Sequence, residues 1–290
     1  MDLGGVVIGR HTSVNIIDIG GLGRPPVRDN DTERPSMDGV WPGPDYYGAR
    51  SIHIEAAIKI PGNQAACDDM LAQLLEAADD PARTVGGQTT TLRYRRPGRP
   101  VKRLYGRLRI LESNVKQAIY GYVPLDIQFT ATDPTWYADT LTTETIPLGW
   151  LTGGGFAAPV TAPIHVQDGA TAADRPGWAL NQGTTDAWPI IRITGPVAQV
   201  TIRHAESGRQ LAMPTLNLTT SSQWVEIDTR PGYCTVTDQN GGNASALLTP
   251  ASRIDRFRLP TGQSELRWIG FDDTNTARMR LTWRDAYIAL

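Results

Sequence analysis

Apolar and polar residues alternate along several segments of this chain, and that alternation limits what it can fold into. In residues 51–60 (SIHIEAAIKI) every second position is isoleucine or alanine. Residues 122–131 repeat the pattern, and residues 89–111 contain two such runs around a Pro-Gly turn. Because successive side chains of a strand point to opposite faces, these segments are predicted to be half-buried strands.

One segment, residues 63–80, has the spacing of an amphipathic helix instead. Asn63 is the predicted N-cap, and Pro81 marks the end. The predicted apolar stripe consists of Cys67, Leu71, Leu74, Leu75 and Ala78. Residues 1–140 are therefore predicted to form a barrel-like β-sheet domain with one packed α-helix.

The composition changes after residue 140. Residues 141–163 are rich in Thr, Gly and Pro and are predicted to be a linker. Residues 164–290 contain short strand patterns separated by tight turns, with no helix between them. This spacing predicts a second domain that is a β-sandwich, so the whole chain is expected to be mainly β.

Residues 20–48, which we call the arm, fit neither pattern. The arm is polar, punctuated by proline and longer than most unstructured loops of compact domains. Trp41, Tyr46 and Tyr47 argue against pure disorder. An arm that lies on a neighbouring subunit would explain both the length and the aromatic residues, and a disordered loop is the alternative.

A basic segment, residues 93–109, is the sharpest local feature. It contains no acid, and its cations are Arg93, Arg95, Arg96, Arg99, Lys102, Arg103, Arg107 and Arg109. These residues fit a subunit contact or a surface that lines a passage, and a solvated strand face is the simplest alternative. Tyr94 and Tyr105 could stack on bases, but the formal net charge of −2 offers no global attraction for nucleic acid.

No pattern in the chain indicates catalysis or a cofactor. The four histidines lack metal-ligand spacing, and the two cysteines, Cys67 and Cys234, are expected to be free. Residues 29–40 begin like a calcium loop, but Arg34 replaces the required glycine and Val40 the bidentate glutamate, leaving only looser oxygen coordination. We expect a soluble protein that is not an enzyme, with no cofactor, metal or membrane segment, and with neither a signal peptide nor sequence-specific nucleic-acid binding.

Tryptophan is concentrated in the second half of the chain. Trp178, Trp224 and Trp268 are candidates for stacking on sugar rings if this domain is a carbohydrate-binding module. Packing within the sandwich or an interface is the commoner role of tryptophans in strands.

The order of these features resembles the distal tail proteins of long-tailed phages with flexible tails, often called minor tail proteins. The segments that carry the resemblance are GLGRPPVR (21–28), MDGVWPGPDYYGARSIHIEAAI (37–58), FTATDPTWY (129–137), NQGTTDAWPIIRITGP (181–196), EIDTRPG (226–232) and SRIDRFRLPTGQSELRW (252–268). The Pro-rich arm and the Thr/Gly linker are longer than the family pattern.

The resemblance implies a structural virion protein made in the host cytoplasm. It implies a hexameric ring, formed by the first domain, that joins the tail tube to the tail-tip hub or fibre proteins. The second domain would be a galectin-like sandwich, with a host surface glycan as the alternative partner. No catalytic residues are implied.

The strand at 122–131 stops abruptly at Asp133-Pro134, and two aromatics, Trp136 and Tyr137, follow. Proline cannot donate to a sheet ladder, so this dipeptide is expected to form a rigid corner at the end of the first domain. We expect Trp136 and Tyr137 to pack beneath the point where the second domain begins.

Overall fold

The computed structural model describes residues 1–79, 84–148 and 177–290. The chain divides into two compact units. The first contains Met1–Asp139 and Tyr287–Leu290, and the second contains Thr140–Ala286. Both are built mainly from antiparallel strands, which confirms the fold class predicted from the alternating patterns.

The first unit contains one α-helix and a series of strands of very different lengths. Its elements are β1 (Asp2–Leu3), β2 (Val6–Val7), β3 (Val14–Gly20), β4 (Val27–Arg28), β5 (Thr32–Glu33), β6 (Val40–Trp41), β7 (Tyr46–Tyr47), β8 (Arg50–Lys59), α1 (Gln64–Ala78), β9 (Thr90–Tyr94), β10 (Lys102–Ser113), a 3-10 helix (Val115–Tyr120), β11 (Tyr122–Ala131) and β12 (Trp136–Ala138).

A single sheet organises this unit, with the strand order β2-β1-β9-β10-β11-β8-β3 and β12 paired beside β10. The predicted strands at 51–60 and 122–131 are β8 and β11, which pair along their full length. A β-bulge between Leu108 and Ile110 interrupts β10. Uninterrupted alternation in the second run of residues 89–111 would place Leu104 and Ile110 on the same face, and this expectation is wrong. After the extra residue, Leu111 packs against the core instead.

Helix α1 packs on this sheet, as predicted. The Asn63 side chain caps its first turn by accepting a hydrogen bond from the Ala66 amide at 3.0 Å. Cys67 and Leu74 are fully buried, but Leu75 is 47% exposed. The stripe is thus narrower than predicted, because Leu75 lies about 100° around the helix from Leu74.

The second unit consists of short strands and 3-10 turns. Its elements are β13 (Thr142–Pro147), β14 (Trp178–Asn181), β15 (Ile190–Thr194), β16 (Val197–His204), β17 (Gln210–Leu218), β18 (Trp224–Asp228), β19 (Thr235–Asp238), two 3-10 turns (Ser245–Leu247 and Ile254–Arg256), β20 (Gly262–Phe271) and β21 (Arg278–Trp283). A last strand, β22 (Ala286–Tyr287), pairs with β12, and its Tyr287 belongs to the first unit.

Two antiparallel sheets form this unit, with the orders β13-β21-β15-β18-β19 and β14-β20-β16-β17. Burial alternates along β16 and β20, so each strand has one buried face, as expected of a β-sandwich. The Trp268 indole of one sheet donates to the Pro147 carbonyl at the end of a strand of the other, at 2.9 Å.

The predicted linker is wrong at its start, because residues 142–147 are strand β13. Its partner, β21, lies more than 130 residues later in the sequence, and each residue from Thr142 to Pro147 pairs with one from Trp283 to Arg278. A Thr/Pro-rich composition does not reveal so distant a partner. The remainder of the predicted linker, from residue 149, and the start of the predicted second domain at 164 lie outside the described residues.

Candidate assembly surfaces

The arm is an antiparallel β-hairpin rather than an irregular loop. Strands β4 and β7 pair at its base and β5 and β6 pair further out. The Gly43 amide donates to the Asp31 side chain at 2.9 Å. This bond joins the two sides of the hairpin between the two ladders. Gly43 is required there, since a Cβ would lie 2.0 Å from the Asn30 carbonyl oxygen.

The side chains of the arm are almost all exposed. Trp41 is 53% exposed and Tyr46 59% exposed, and Met37 and Val40 are exposed as well. Arg24 lies over the Tyr47 ring at 5.3 Å. Large aromatic rings exposed together on a small projecting hairpin are typical of a surface that a partner covers.

A buried arginine, Arg50, joins the base of the arm to two other parts of the first unit. It is only 1% exposed. Its guanidinium donates to the Gly21 carbonyl at 3.2 Å and also to that of Gly23. Further bonds reach the Pro134 carbonyl at 3.1 Å and the Ile288 carbonyl at 3.0 Å.

The Arg50 cation has carbonyl acceptors and an aromatic neighbour. Its guanidinium lies 5.7 Å from the Trp136 ring centroid, and burial lowers the pKa of Arg50. Sequence reasoning missed this residue. The signal available in the sequence was the alternation of β8. Arg50 lies two residues before Ile52, so it falls on the same buried face as Ile52 and Ile54.

The basic segment separates into arginines with internal partners and arginines without them. Arg93 contacts Asp2 at 2.9 Å and Asp139 at 3.2 Å, and Arg103 also pairs with Asp139. Burial alone raises the pKa of Asp139, but the hydrogen bond and charge of Arg103, with those of Arg93, lower it overall. Arg107 donates to the carbonyls of the preceding loop. Arg93, Arg103 and Arg107 thus stabilise the sheet.

The remaining cations gather at the turn between β9 and β10, which we call the arginine tip (residues 95–102). Arg95, Arg96 and Arg99 are exposed, with no carboxylate partner in the parts of the chain that the structure describes. Lys102 lies at the base, 3.7 Å from the Tyr287 ring centroid. Burial, followed by the charges of Arg99 and Arg96, lowers the pKa of Lys102. Arg109 is exposed at the bulge, away from this tip.

The corner at Asp133-Pro134 is held by local hydrogen bonds. Asp133 accepts from the Thr135 amide at 3.0 Å and from the Tyr137 hydroxyl. Trp136 is fully buried and Tyr137 nearly so, and both lie in the first unit. Burial, and then the charge of Asp133, raise the pKa of Tyr137 well above its ordinary value.

The three tryptophans proposed as glycan contacts have different environments. Trp268 is 2% exposed and its indole N–H is bonded to a backbone carbonyl, so its assignment as a sugar-stacking residue is wrong. Trp224 is partly exposed, with Arg192 over its ring at 4.1 Å. Trp178 is partly exposed at the start of β14. Alternation places a residue on a face of a strand, but it does not say which face is covered.

Within the described ranges, no three His, Cys, Asp or Glu side chains form a group that could hold a metal ion. This includes Asp29, Asp31 and Glu33 of the arm, where Asp31 is engaged with Gly43. None of the helices in those ranges is both long and apolar enough to span a bilayer.

Comparison by sequence identifies no relative. No protein-family model matches the chain, and no curated protein matches it.

Solved structures with a similar fold include phage hub and baseplate proteins, in agreement with the mainly β fold expected from the resemblance. The Dit (gp 19.1) protein of SPP1, described as a paradigm of the hub adsorption apparatus in phages that infect Gram-positive hosts, has a TM-score of 0.59 at 12% identity, over 93% of both chains. Two phage P2 baseplates in the activated conformation, with Ca and with Sr, give TM-scores of 0.55 and 0.53 at 14% identity. The match covers 94% of this chain and 91% of each P2 chain.

Proposed function

We propose that this chain is a structural protein of a phage tail tip. It acts by assembly, as a distal tail protein whose first unit forms a homo-oligomeric ring, a hexamer, between the tail tube and the tail-tip hub or fibre proteins. The observation that carries the proposal is the shared fold, which spans both units and more than nine-tenths of this chain and of SPP1 Dit. Such a protein is part of the virion after its synthesis in the host cytoplasm, and it needs no cofactor or catalytic residue.

Ring closure in this proposal is a matter of covering exposed edges. The main sheet ends at β3 on one side and at the two-residue β2 on the other. Exposed apolar residues lie on both, with Ile17 56% exposed and Val7 60% exposed. A rotational ring brings one edge of each copy against the opposite edge of the next, so every edge is covered.

The arm and the basic segment are the proposed interface elements, and the corner is their support. Trp41, Tyr46 and Tyr47 are the aromatic contacts of the arm. The exposed arginines of the basic segment supply charge complementarity to neighbouring tail proteins, or line the passage used by DNA. Asp133, Pro134, Trp136 and Tyr137 hold the end of the first unit in a fixed conformation from which the second unit, a galectin-like sandwich, begins.

Native mass spectrometry of the purified full-length chain, combined with particle imaging, tests this proposal. We expect a closed ring of six copies whose population increases with protein concentration. A second sample would contain tail tube protein from the same phage, because some rings close only on a template. A chain that stays monomeric in both samples would contradict the ring.

Glycan binding by the second unit is the alternative function, and the partial exposure of Trp178 and Trp224 is the observation that favours it. A glycan array probed with the wild-type chain and with Trp178→Ala and Trp224→Ala tests it. The alternative predicts binding that one of these substitutions abolishes. The array would exclude this role if no wild-type binding is detected.

A further inference from the structure

The arm and the arginine tip carry opposite charges, and no ion pair involves either of them among the described residues of one chain. Residues 29–45 of the arm contain five carboxylates and one arginine. The arginine tip contains four cations and no acid. No ion pair or hydrogen bond joins the arm to the tip within the described residues of a single chain.

Both features project from the same end of the main sheet. The arm connects the end of β3 to the start of β8, where Arg50 pairs with Ala131 of β11. Ala131 in turn pairs with Gly106 of β10, and β10 begins four residues earlier, at the tip. The pairing register therefore puts the tip just beyond the sheet end from which the arm departs.

The two features lie on opposite flanks of that end. The arm follows β3, the outer strand on one side, and the tip joins β9 to β10, with β11 and β8 between them. Adjacent strands are about 4.8 Å apart, so the arm and the tip are separated across the width of the sheet. In a rotational ring, the arm and the tip keep the same position along the ring axis in every copy. The β3 edge of one copy then lies beside the β2 edge of the next, on the side of the sheet where β9 and the tip are.

We propose that the arginine tip is the docking site for the arm of a second copy of this chain. The five arm carboxylates face Arg95, Arg96 and Arg99 of the neighbour, and the exposed arm aromatics stack on the same guanidinium groups. This inference rests on the proposed ring and adds which two surfaces meet in it. Charge pairing of this kind selects the next copy and fixes its register.

Charge exchange between the two surfaces tests the pairing. The tip variant is Arg95→Glu, Arg96→Glu, Arg99→Glu, and the arm variant is Asp29→Lys, Glu33→Lys, Asp38→Lys, which leaves the bond from Gly43 to Asp31 in place. We expect each variant alone to raise the half-assembly concentration by about 100-fold, because like charges meet at every interface. We expect a 1:1 mixture of the two variants to recover assembly to within about tenfold of wild type, as rings with alternating subunits.

A matched control keeps the same charge change on the second unit. Arg203→Glu, Arg256→Glu, Arg280→Glu alters three exposed arginines there, and we expect it to assemble like wild type. Circular dichroism with thermal unfolding checks that all variants fold. Native mass spectrometry reads out subunit composition, and a mass label on one variant distinguishes alternating rings from segregated ones.

The outcomes separate this inference from the proposed function. Wild-type rings with no defect in the tip variant, or with no recovery in the mixture, overturn the arm–tip pairing and leave the ring standing. Loss of duplex DNA binding by the tip variant, with its rings intact, would make the tip a DNA contact and also overturn the pairing. A wild-type chain that never assembles would overturn both proposals.

Discussion

Arg50 shows how a single side chain can define where several segments meet. A guanidinium has five N–H donors in a fixed plane, and it remains charged even where burial lowers its pKa. The carbonyls that it binds, those of Gly21, Gly23, Pro134 and Ile288, belong to three segments far apart in sequence. The base of the arm, the corner and the last residues of the chain are therefore anchored to one point.

Replacing Arg50 by methionine removes these bonds while keeping much of the side-chain volume. We expect the free energy of unfolding of the first unit to fall by about 3 kcal/mol, since hydrogen bonds to a charged group contribute about 1.5–3 kcal/mol each and some of the freed carbonyls regain water. Chemical denaturation measures the loss. Amide exchange should increase at residues 21–23 and 288, and the exposed Arg109→Met is the matched control. A stability equal to that of the control would contradict the anchoring role.

His204 predicts a pH dependence for the second unit. Its ring is buried, its Nδ1 accepts from the Ser207 amide at 3.2 Å, and burial lowers the pKa of His204 below the ordinary 6.5. Glu206, at 3.3 Å, opposes that shift, and Arg209 adds to it. The unfolded chain therefore takes up a proton at a higher pH than the folded one, so stability falls as the pH drops below about 6.5.

Thermal unfolding between pH 8 and pH 5 measures this effect. We expect the melting temperature of the second unit to decrease with pH in wild type, and His204→Gln to weaken that dependence because glutamine does not titrate. Burial alone would raise the pKa of Asp272, but its hydrogen bonds to Thr274 and Ala277 lower it overall. The stability that Asp272 contributes is therefore lost only at lower pH. An unchanged slope in the His204→Gln variant would contradict this assignment.

At the scale of elements, the strands that the sequence predicts well are those whose pattern is local. Strand β8 and strand β11 alternate without interruption, and the register of one follows the other. The bulge in β10, the pairing of β13 with β21 and the burial of Arg50 all depend on distant partners. Periodicity in a window of ten residues contains no information about such partners, which is why these features were missed.

The arm illustrates the same limit at the candidate site. Its length and aromatics predicted an interface element, but its hairpin geometry rests on two-residue ladders and on Gly43. The basic segment looked like one surface in sequence. The structure divides it, because Asp2 and Asp139 come from opposite ends of the first domain to neutralise Arg93 and Arg103.

Gly43→Ala tests the arm hairpin directly. A Cβ there would overlap the Asn30 carbonyl, so we expect the outer ladder to open while the core of the first unit is unaffected. Amide exchange in residues 27–47 should increase and ring assembly should weaken, with the melting temperature unchanged. Gly23→Ala is the matched control, because a Cβ at that position meets nothing within 4 Å. Normal assembly and normal exchange in Gly43→Ala would show that the hairpin tolerates the change.

At the scale of the whole molecule, each compact unit has its own buried tryptophan. Trp136 is in the core of the first unit, and Trp268 is in the second. Replacing either by alanine should cost about 3–5 kcal/mol. We expect Trp136→Ala to lower only the unfolding transition of the first unit and Trp268→Ala only that of the second, as resolved by calorimetry. A single transition that shifts equally in both variants would mean that the units unfold together.

The path of the chain has one more consequence. Residues 287–290 return to the first unit after the whole of the second, and the strand containing Tyr287 pairs with Trp136–Ala138. The second unit is therefore an insertion between two neighbouring strands of the first unit. Two adjacent attachment points suit exchange by recombination, and they allow a foreign folded module to be grafted at the same place with both of its ends tethered.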